Sequence, residues 1–314
     1  MSARALGLLL GYAADRVWAD PVRHHPVAWF GTVASRLEQR VWRDDRLAGT
    51  AYAAVLVGGV VLPAAGAERR AGPATRVVTT AAATWLVLGG TSLDREAAAV
   101  QARLAVDDLP GARTQVGRIV GRSTADLDAA GVARAAVESV AENTSDAVVG
   151  ALVWGAVAGL PGLLGFRAAN TLDAMVGHRT ARHDRFGWAG ARLDDVLGLP
   201  GARLTAALAA AAGPDHAGAL RAWRRDAGAH PSPNAGPVEA AFAGALGVTL
   251  GGPTTYGDRT EDRPRLGDGA APTAHDVTRA RRLAARVGLG AAVVSALIAV
   301  RAPTQPLPPR RPRR

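Results

Sequence analysis

Charge is absent from three long stretches of this chain, 47–67, 77–93 and 147–166, and each is bounded by Arg, Asp or Glu. A bilayer core of roughly 30 Å takes about 20 helical residues, so the first and third are long enough to cross it and the second is only a little shorter. Neither of the first two carries a polar face, which argues against buried helices of a soluble core. Their Gly and small residues permit close packing, and the short loop between them predicts an antiparallel pair. A fourth stretch, 287–300, lies between Arg286 and Arg301 and is short for a span, though flanking arginines can snorkel. The run 204–213 is too short for one. Near the N-terminus, 6–19 reads as a retained helix rather than a cleaved signal peptide, because Asp15 and Arg16 interrupt it and Pro21 ends it.

Averages hide this pattern. Hydrophobic content is 48% and mean hydropathy +0.07, values that fit a soluble protein; the bunching of apolar residues is what points to a membrane. The formal charge of +10 comes with Arg as the only Lys/Arg-type cation, so no lysine can serve as a Schiff base or amine nucleophile. Arginines flanking apolar runs, without an aromatic-interleaved basic face, favour a lipid bilayer and exclude nucleic acid as partner. The chain has no Cys, which removes disulfides, thiolate metal sites and thioester intermediates.

An all-α, polytopic integral membrane protein is expected, with about four to six apolar helices and amphipathic helical loops. It forms one integral-membrane catalytic domain over 1–301, multi-pass in the cell membrane. The Pro- and Arg-rich tail 302–314 is expected to be disordered and lipid-facing.

Around the third run the sequence repeats itself. Asn143-Thr144-Ser145-Asp146-Ala147-Val148-Val149-Gly150 is echoed by Asn170-Thr171-Leu172-Asp173-Ala174-Met175-Val176-Gly177. Between the copies, Gly159-Leu160-Pro161-Gly162 breaks the apolar run. A simple crossing would leave the copies on opposite faces, whereas a broken or re-entrant hairpin over 147–166 brings both to one side. Glu138, Glu142 and Asp146 recur every four residues and line one helix face. The bland reading is a solvated acidic face with Arg134 pairing Glu138. Against it, Glu142 and Asp146 run into apolar sequence with no basic residue four positions on, and such acids call for a cation or ligand. Asp194-Asp195 alone serves equally as helix cap, ion-pair partner or Mg²⁺ ligand. Together with Glu142, Asp146 and Asp173 it suggests a metal-holding acidic set. His25 reads as a loop residue held by Pro26, or as a partner of Asp20 at a polar site. The turn-rich His230-Pro231-Ser232-Pro233-Asn234 is a generic phosphate-cradling loop, and 258–274 reads as an irregular surface loop.

In this order the motifs resemble the cobinamide-phosphate synthase family of cobalamin biosynthesis, the CbiB/CobD type. The resemblance is carried by Asp20-Pro21 with His25-Pro26-Val27, Gly121-Arg122-Ser123-Thr124, Ala136 to Thr144, Gly159-Leu160-Pro161-Gly162, Asn170-Thr171-Leu172-Asp173 and Met175-Val176-Gly177-His178. Ala191-Arg192-Leu193-Asp194-Asp195, Ser232-Pro233-Asn234-Ala235-Gly236 and Leu250-Gly251-Gly252 complete it. It implies a multi-pass membrane enzyme that attaches aminopropanol, or its phosphate, to a propionate of adenosylcobyric acid through an amide bond driven by ATP with Mg²⁺. Other cobalamin-pathway membrane enzymes are implied partners. On that reading Glu142, Asp146, Asp173, Asp194 and Asp195 hold Mg²⁺ on the ATP phosphates. Arg122, Arg167 and Arg192 neutralise phosphate and carboxylate charge, and Glu138 or His178 takes the amine proton. Asn143 and Asn170 complete the catalytic set; Arg203, Ser232, Asn234 and His25 complete the binding set. The chain departs from the family pattern at Ser123, where Asp is usual, at Arg167, where Lys is usual, and at Gly198 and Gly201-Ala202-Arg203, where Asn and Pro-Ala-Arg are expected. Two rival readings are a Mg²⁺-dependent membrane prenyl- or alcohol-phosphotransferase and a non-catalytic scaffold for corrinoid enzymes.

Overall fold

In a computed structural model, which describes residues 2–21, 25–178, 180–256 and 259–301, the chain is helical apart from one β-hairpin. The tail 302–314 lies outside the described residues. Helices α1 (Ala3–Trp18), α2 (Pro26–Val41), α3 (Arg46–Arg70), α4 (Pro73–Val87), α5 (Gly90–Leu104) and α6 (Leu109–Val116) lead to α7 (Ala129–Thr144) and α8 (Gly150–Leu172). Then come α9 (Trp188–Ala212), α10 (His216–Asp226), α11 (Ala235–Leu246), strands β1 (Leu250–Tyr256) and β2 (Arg259–Leu266), and α12 (Ala274–Arg301). Short polar residues set many of the starts. Asp45, Asp108, Asp128 and Asp215 each accept a backbone N–H at the head of α3, α6, α7 and α10. Each such cap contributes about 1 kcal/mol.

The Gly-Leu-Pro-Gly break produces the hairpin that the sequence suggests. Gly159 has φ 67° and ψ −150°, backbone open essentially to glycine alone, and the chain reverses there. Beyond the turn Leu163 packs back on Gly155, and Phe166 on Gly150. Arg4 pins the tip: Nη1 donates to Ala156 O at 3.2 Å and Nη2 to Glu68 Oε1 at 3.1 Å. Both echoed motifs thereby end on one side, and both contain a π-helical turn, Ser145–Val149 in the first and Asp173–Gly177 in the second. π-turns concentrate at functional sites, where they re-aim side chains out of helical register.

Among the described residues three segments are long and apolar enough to cross a membrane: Arg46–Arg70, Ala129–Gly177 and Ala274–Arg301. The second is the hairpin rather than one rod. Exposed leucines and valines fit a lipid surroundings, among them Val55 and Leu62 on α3 and the stripe Leu289, Val293, Leu297 on α12.

Three expectations need correction. The uncharged run 77–93 is split at Leu88–Gly89 into the end of α4 and the start of α5. Its first part packs chiefly on α1, while α3 packs on α8, so α3 and α4 are not the expected mutual pair. The cause is Gly7 and Gly11, which let Thr80 and Thr84 approach the α1 backbone. By contrast, 204–213 forms no span of its own, as its length indicates: it is the end of the 25-residue α9, which continues through Pro200 and is not among the candidate spans. The segment expected to be irregular after 258 supplies β2, paired antiparallel with β1.

Candidate active site

One polar cleft gathers the acidic residues of three helical segments. It is lined by Glu142, Ser145 and Asp146 from the first motif, Asp173 from the second and Asp194 and Asp195 from α9, with Ser232 and Asn234 from the loop before α11. The hairpin and the two π-turns are what bring Asp146 and Asp173 to the same wall. Among the described residues Asp146 and Asp173 make no ion pair. Asp194 lies close enough to Asn170 to feel its side chain, and its Oδ1 is buried without a partner. Burial raises the Asp194 carboxyl to about 7, with Asp173, Asp195 and Glu142 adding to the shift and Asn170 opposing it. Asp195 is engaged by Arg192, Nη1 to Oδ2 at 3.0 Å, on an exposed edge. Asn143 is held in its own helix, Nδ2 donating to Ser139 O at 2.9 Å.

The Ser232–Asn234 loop is fastened from both sides. Arg203 Nη1 donates to Pro233 O at 2.7 Å and to Asn234 Oδ1 at 3.1 Å, and Asn234 Nδ2 donates to Asp195 O at 2.9 Å. Ser232 Oγ accepts the N–H of Ala235 at 3.1 Å and of Asn234 at 3.3 Å. The first N–H groups of α11 are therefore already satisfied, and the loop contributes walls and side chains to the cleft rather than open N–H donors.

Two residues expected in the chemistry are committed elsewhere. Glu138 is buried and ion-paired with Arg122, and its Oε1 accepts Gly251 N at 2.7 Å. Arg134, the partner expected from the spacing, instead donates to Gly251 O at 2.6 Å and Pro253 O at 3.1 Å. This explains Leu250-Gly251-Gly252: Gly251 sits at φ 80° in a β-bulge, which turns its N–H toward the carboxylate. Ser123 N donates to Thr255 O at 2.8 Å, so β1 also straps the loop that carries Arg122. His178 stands exposed just past the second π-turn.

His25 caps α2 through Nδ1, which accepts Val27 N at 3.1 Å, and its Nε2 lies 3.2 Å from Asp20 Oδ2. Asp20 in turn accepts from Ser92 Oγ. Asp20, Asp146 and Asp194 all act electrostatically on Arg167, which places this corner beside the acidic cleft. Sequence reasoning missed Ser92 and a buried pair behind the cleft, Glu239 on α11 with His230 at 3.8 Å. The signal for Glu239 is a lone carboxylate in an otherwise uncharged helix.

Residues 8–284 match the family model described as CobD/Cbib protein. The chain belongs to the CobD/Cbib family. Among curated relatives of the family it is 51% identical over 302 residues to the cobalamin biosynthesis protein CobD of Mycobacterium tuberculosis, covering 95% of this chain and 96% of that one. It is 46% identical over 283 residues to CobD of Rhodobacter capsulatus, covering 88% and 90%. It is 44% identical over 292 residues to CobD of Chromobacterium violaceum, covering 90% and 92%. No solved structure matches the chain. The CobD/Cbib match runs from α1 into α12, so it contains both echoed motifs, the α9 aspartates and the loop before α11.

Proposed function

We propose that the protein is a multi-pass membrane enzyme of cobalamin biosynthesis, an ATP-dependent acid–amine ligase. It joins aminopropanol, or its phosphate, to a propionate carboxylate of adenosylcobyric acid. The observation that carries this reading is the meeting of both echoed motifs, each on a π-helical turn, in one acidic cleft. Family membership supports it, since the relatives are named for cobalamin biosynthesis.

The residues fit a hard cation. The donors of the cleft are oxygens, as Mg²⁺ requires, and Asp194 Oδ1 is a buried acceptor in need of a partner. Among the described residues no three acidic or His side chains form a ready-made ligand cage. That suits Mg²⁺, which keeps several waters and shares its shell with substrate phosphates. Asp146, Asp173 and Asp194 would hold the ion, with Glu142 and Asp195 at its edge. Mg²⁺ with ATP supplies the activation of the carboxylate that amide synthesis needs. The chain itself must then bind, orient and exclude water. Arg167, which lies within the electrostatic reach of Asp146, Asp20 and Asp194, would offset anionic charge of the substrates. His178, exposed just past the second motif, would accept the proton of the attacking amine, whereas Glu138 is engaged by Arg122 and Gly251.

The test is product formation by purified, detergent-solubilised protein given adenosylcobyric acid, ATP, Mg²⁺ and aminopropanol phosphate or aminopropanol. A cobinamide product that vanishes in Asp146→Asn supports both reaction and site. No product from folded protein with either amine, and activity on a lipid diphosphate or nucleotide-alcohol instead, would transfer the site to the phosphotransferase reading. Function that survives Asp146→Asn and Asp173→Asn alike in cells would favour the scaffold.

A further inference from the structure

The loop from His230 to Asn234 walls the acidic cleft with Ser232 and Asn234, and part of what fixes its shape lies outside the cleft. His230 is not a lining residue; its side chain is 2% exposed, behind the loop. Its Nδ1 accepts Ser232 N at 3.0 Å, which places the ring proton of the neutral imidazole on Nε2. Nδ1 also lies 3.3 Å from Ser232 O, but that longer contact would require the other tautomer. Nε2 is turned toward Glu239 Oε1 on α11, at 3.8 Å. The separation is too long for a hydrogen bond and short enough for the carboxylate to favour a proton on that nitrogen. Arg263 on β2 brings its Nη1 to 3.4 Å from the same nitrogen and acts electrostatically on Glu239.

Glu239 is the lone charge of α11, and it is buried. A carboxylate there is costly, and an apolar residue would pack in its place without that cost. The start of α11 does not need it, because Ser232 Oγ already accepts the N–H of Ala235 and of Asn234. What the carboxylate does supply is a fixed orientation for His230. Pro231 and Pro233 each lock one φ of the loop, so holding Ser232 N at the back constrains the whole segment. At the front, Asn234 Nδ2 donates to Asp195 O, so any shift of the loop is passed directly to the aspartate pair of α9.

We propose that His230, oriented by Glu239, is a positioning residue for the nucleotide end of the cleft. It holds Ser232 and Asn234 against the Asp194–Asp195 pair, where the loop meets the phosphates of Mg·ATP, and itself touches neither substrate nor metal. This rests on the reading of the cleft as a Mg·ATP site.

The experiment pairs calorimetric binding of Mg·ATP to the detergent-solubilised full chain with steady-state kinetics of amide formation. His230→Ala is expected to weaken Mg·ATP binding about tenfold, the scale of losing one orienting hydrogen bond behind a metal site, with the KM for adenosylcobyric acid unmoved. His230→Asn, whose Oδ1 takes the place of Nδ1 as acceptor for Ser232 N, is expected to restore most of that affinity. Glu239→Gln is expected to weaken binding about threefold without lowering the unfolding midpoint, and it carries the test should His230→Ala fail to fold. Wild-type affinity in both His230→Ala and Glu239→Gln would overturn the proposal. So would equal losses in Mg·ATP binding, in the KM for adenosylcobyric acid and in unfolding midpoint that His230→Asn does not reverse, since those mark a merely structural residue. Wild type that binds no Mg·ATP would overturn the reading of the cleft and the proposal together.

Discussion

Replacing Gly159 by Ala attacks the turn on which the site depends. The residue sits at φ 67°, ψ −150°, where a side chain costs about 1–3 kcal/mol in backbone strain. A Cβ there would clash with Glu68 Oε1 and fall 2.7 Å from Arg4 Nη2, so the ion pair that pins the tip must also move. That partly buried pair, shifted rather than lost, adds at most about 1 kcal/mol. The summed loss of about 1–4 kcal/mol corresponds to a fall of roughly 2 °C or more in the apparent unfolding midpoint. Tryptophan fluorescence in detergent at a fixed scan rate reads it, because membrane-protein unfolding is seldom reversible. Gly58→Ala on α3 is the control: its Cβ meets nothing within 4 Å, and its midpoint should hold or rise slightly. Activity should fall with stability in Gly159→Ala alone, since the turn sets the second motif beside the first. If Gly159→Ala melts with wild type, the reversal at this residue is wrong and so is the convergence of the motifs.

Glu138→Gln removes the buried carboxylate that ion-pairs Arg122 and accepts Gly251 N, and should destabilise by about 3 kcal/mol, part of which adding Arg122→Met should restore. A catalytic base would behave otherwise: Glu138→Gln would keep its midpoint and lose turnover. Gly251→Ala should lower stability by about 1–3 kcal/mol, because φ 80° and a clash of the new Cβ with the Pro264 carbonyl both oppose it. Thermal unfolding of the purified variant checks this, and an unchanged midpoint counts against the bulge. Metal binding needs an ionised ligand, and Asp194 ionises near 7, so Mg²⁺ affinity should rise between pH 6 and pH 8. Calorimetric titration should show that slope in wild type and its loss in Asp194→Asn; a flat wild-type profile would remove Asp194 from the metal.

The hairpin was legible because two local signals agreed: the Gly159–Gly162 break and an echo that only a reversal brings together. The acidic wall was legible from position: Asp146 stands at the mouth of an uncharged run, Asp173 at the matching place in the echo, and Asp194 in a pair of adjacent aspartates. The π-turns were not, since a single extra residue in a helix leaves no periodic trace. Strand β2 was hidden by its charges: Arg259, Glu261, Asp262, Arg263 and Arg265 give no alternation of apolar and polar positions. Spacing predicted the wrong partner for Glu138, because Arg122 and Gly251 reach it across 16 and 113 residues of sequence. Local pattern carries no information about such closures. The split of 77–93 was likewise tertiary, resting on what the Gly7 and Gly11 face of α1 admits.

The claim that both motifs build one site is tested most directly by amide formation in Asp146→Asn, Asp173→Asn and the double variant, each titrated with Mg²⁺. A shared site predicts that each single change costs about 10²-fold or more, and that the double is hardly worse than the weaker single variant. Losses that multiply, or full activity in either single variant, would mean that the two aspartates do not act on one metal.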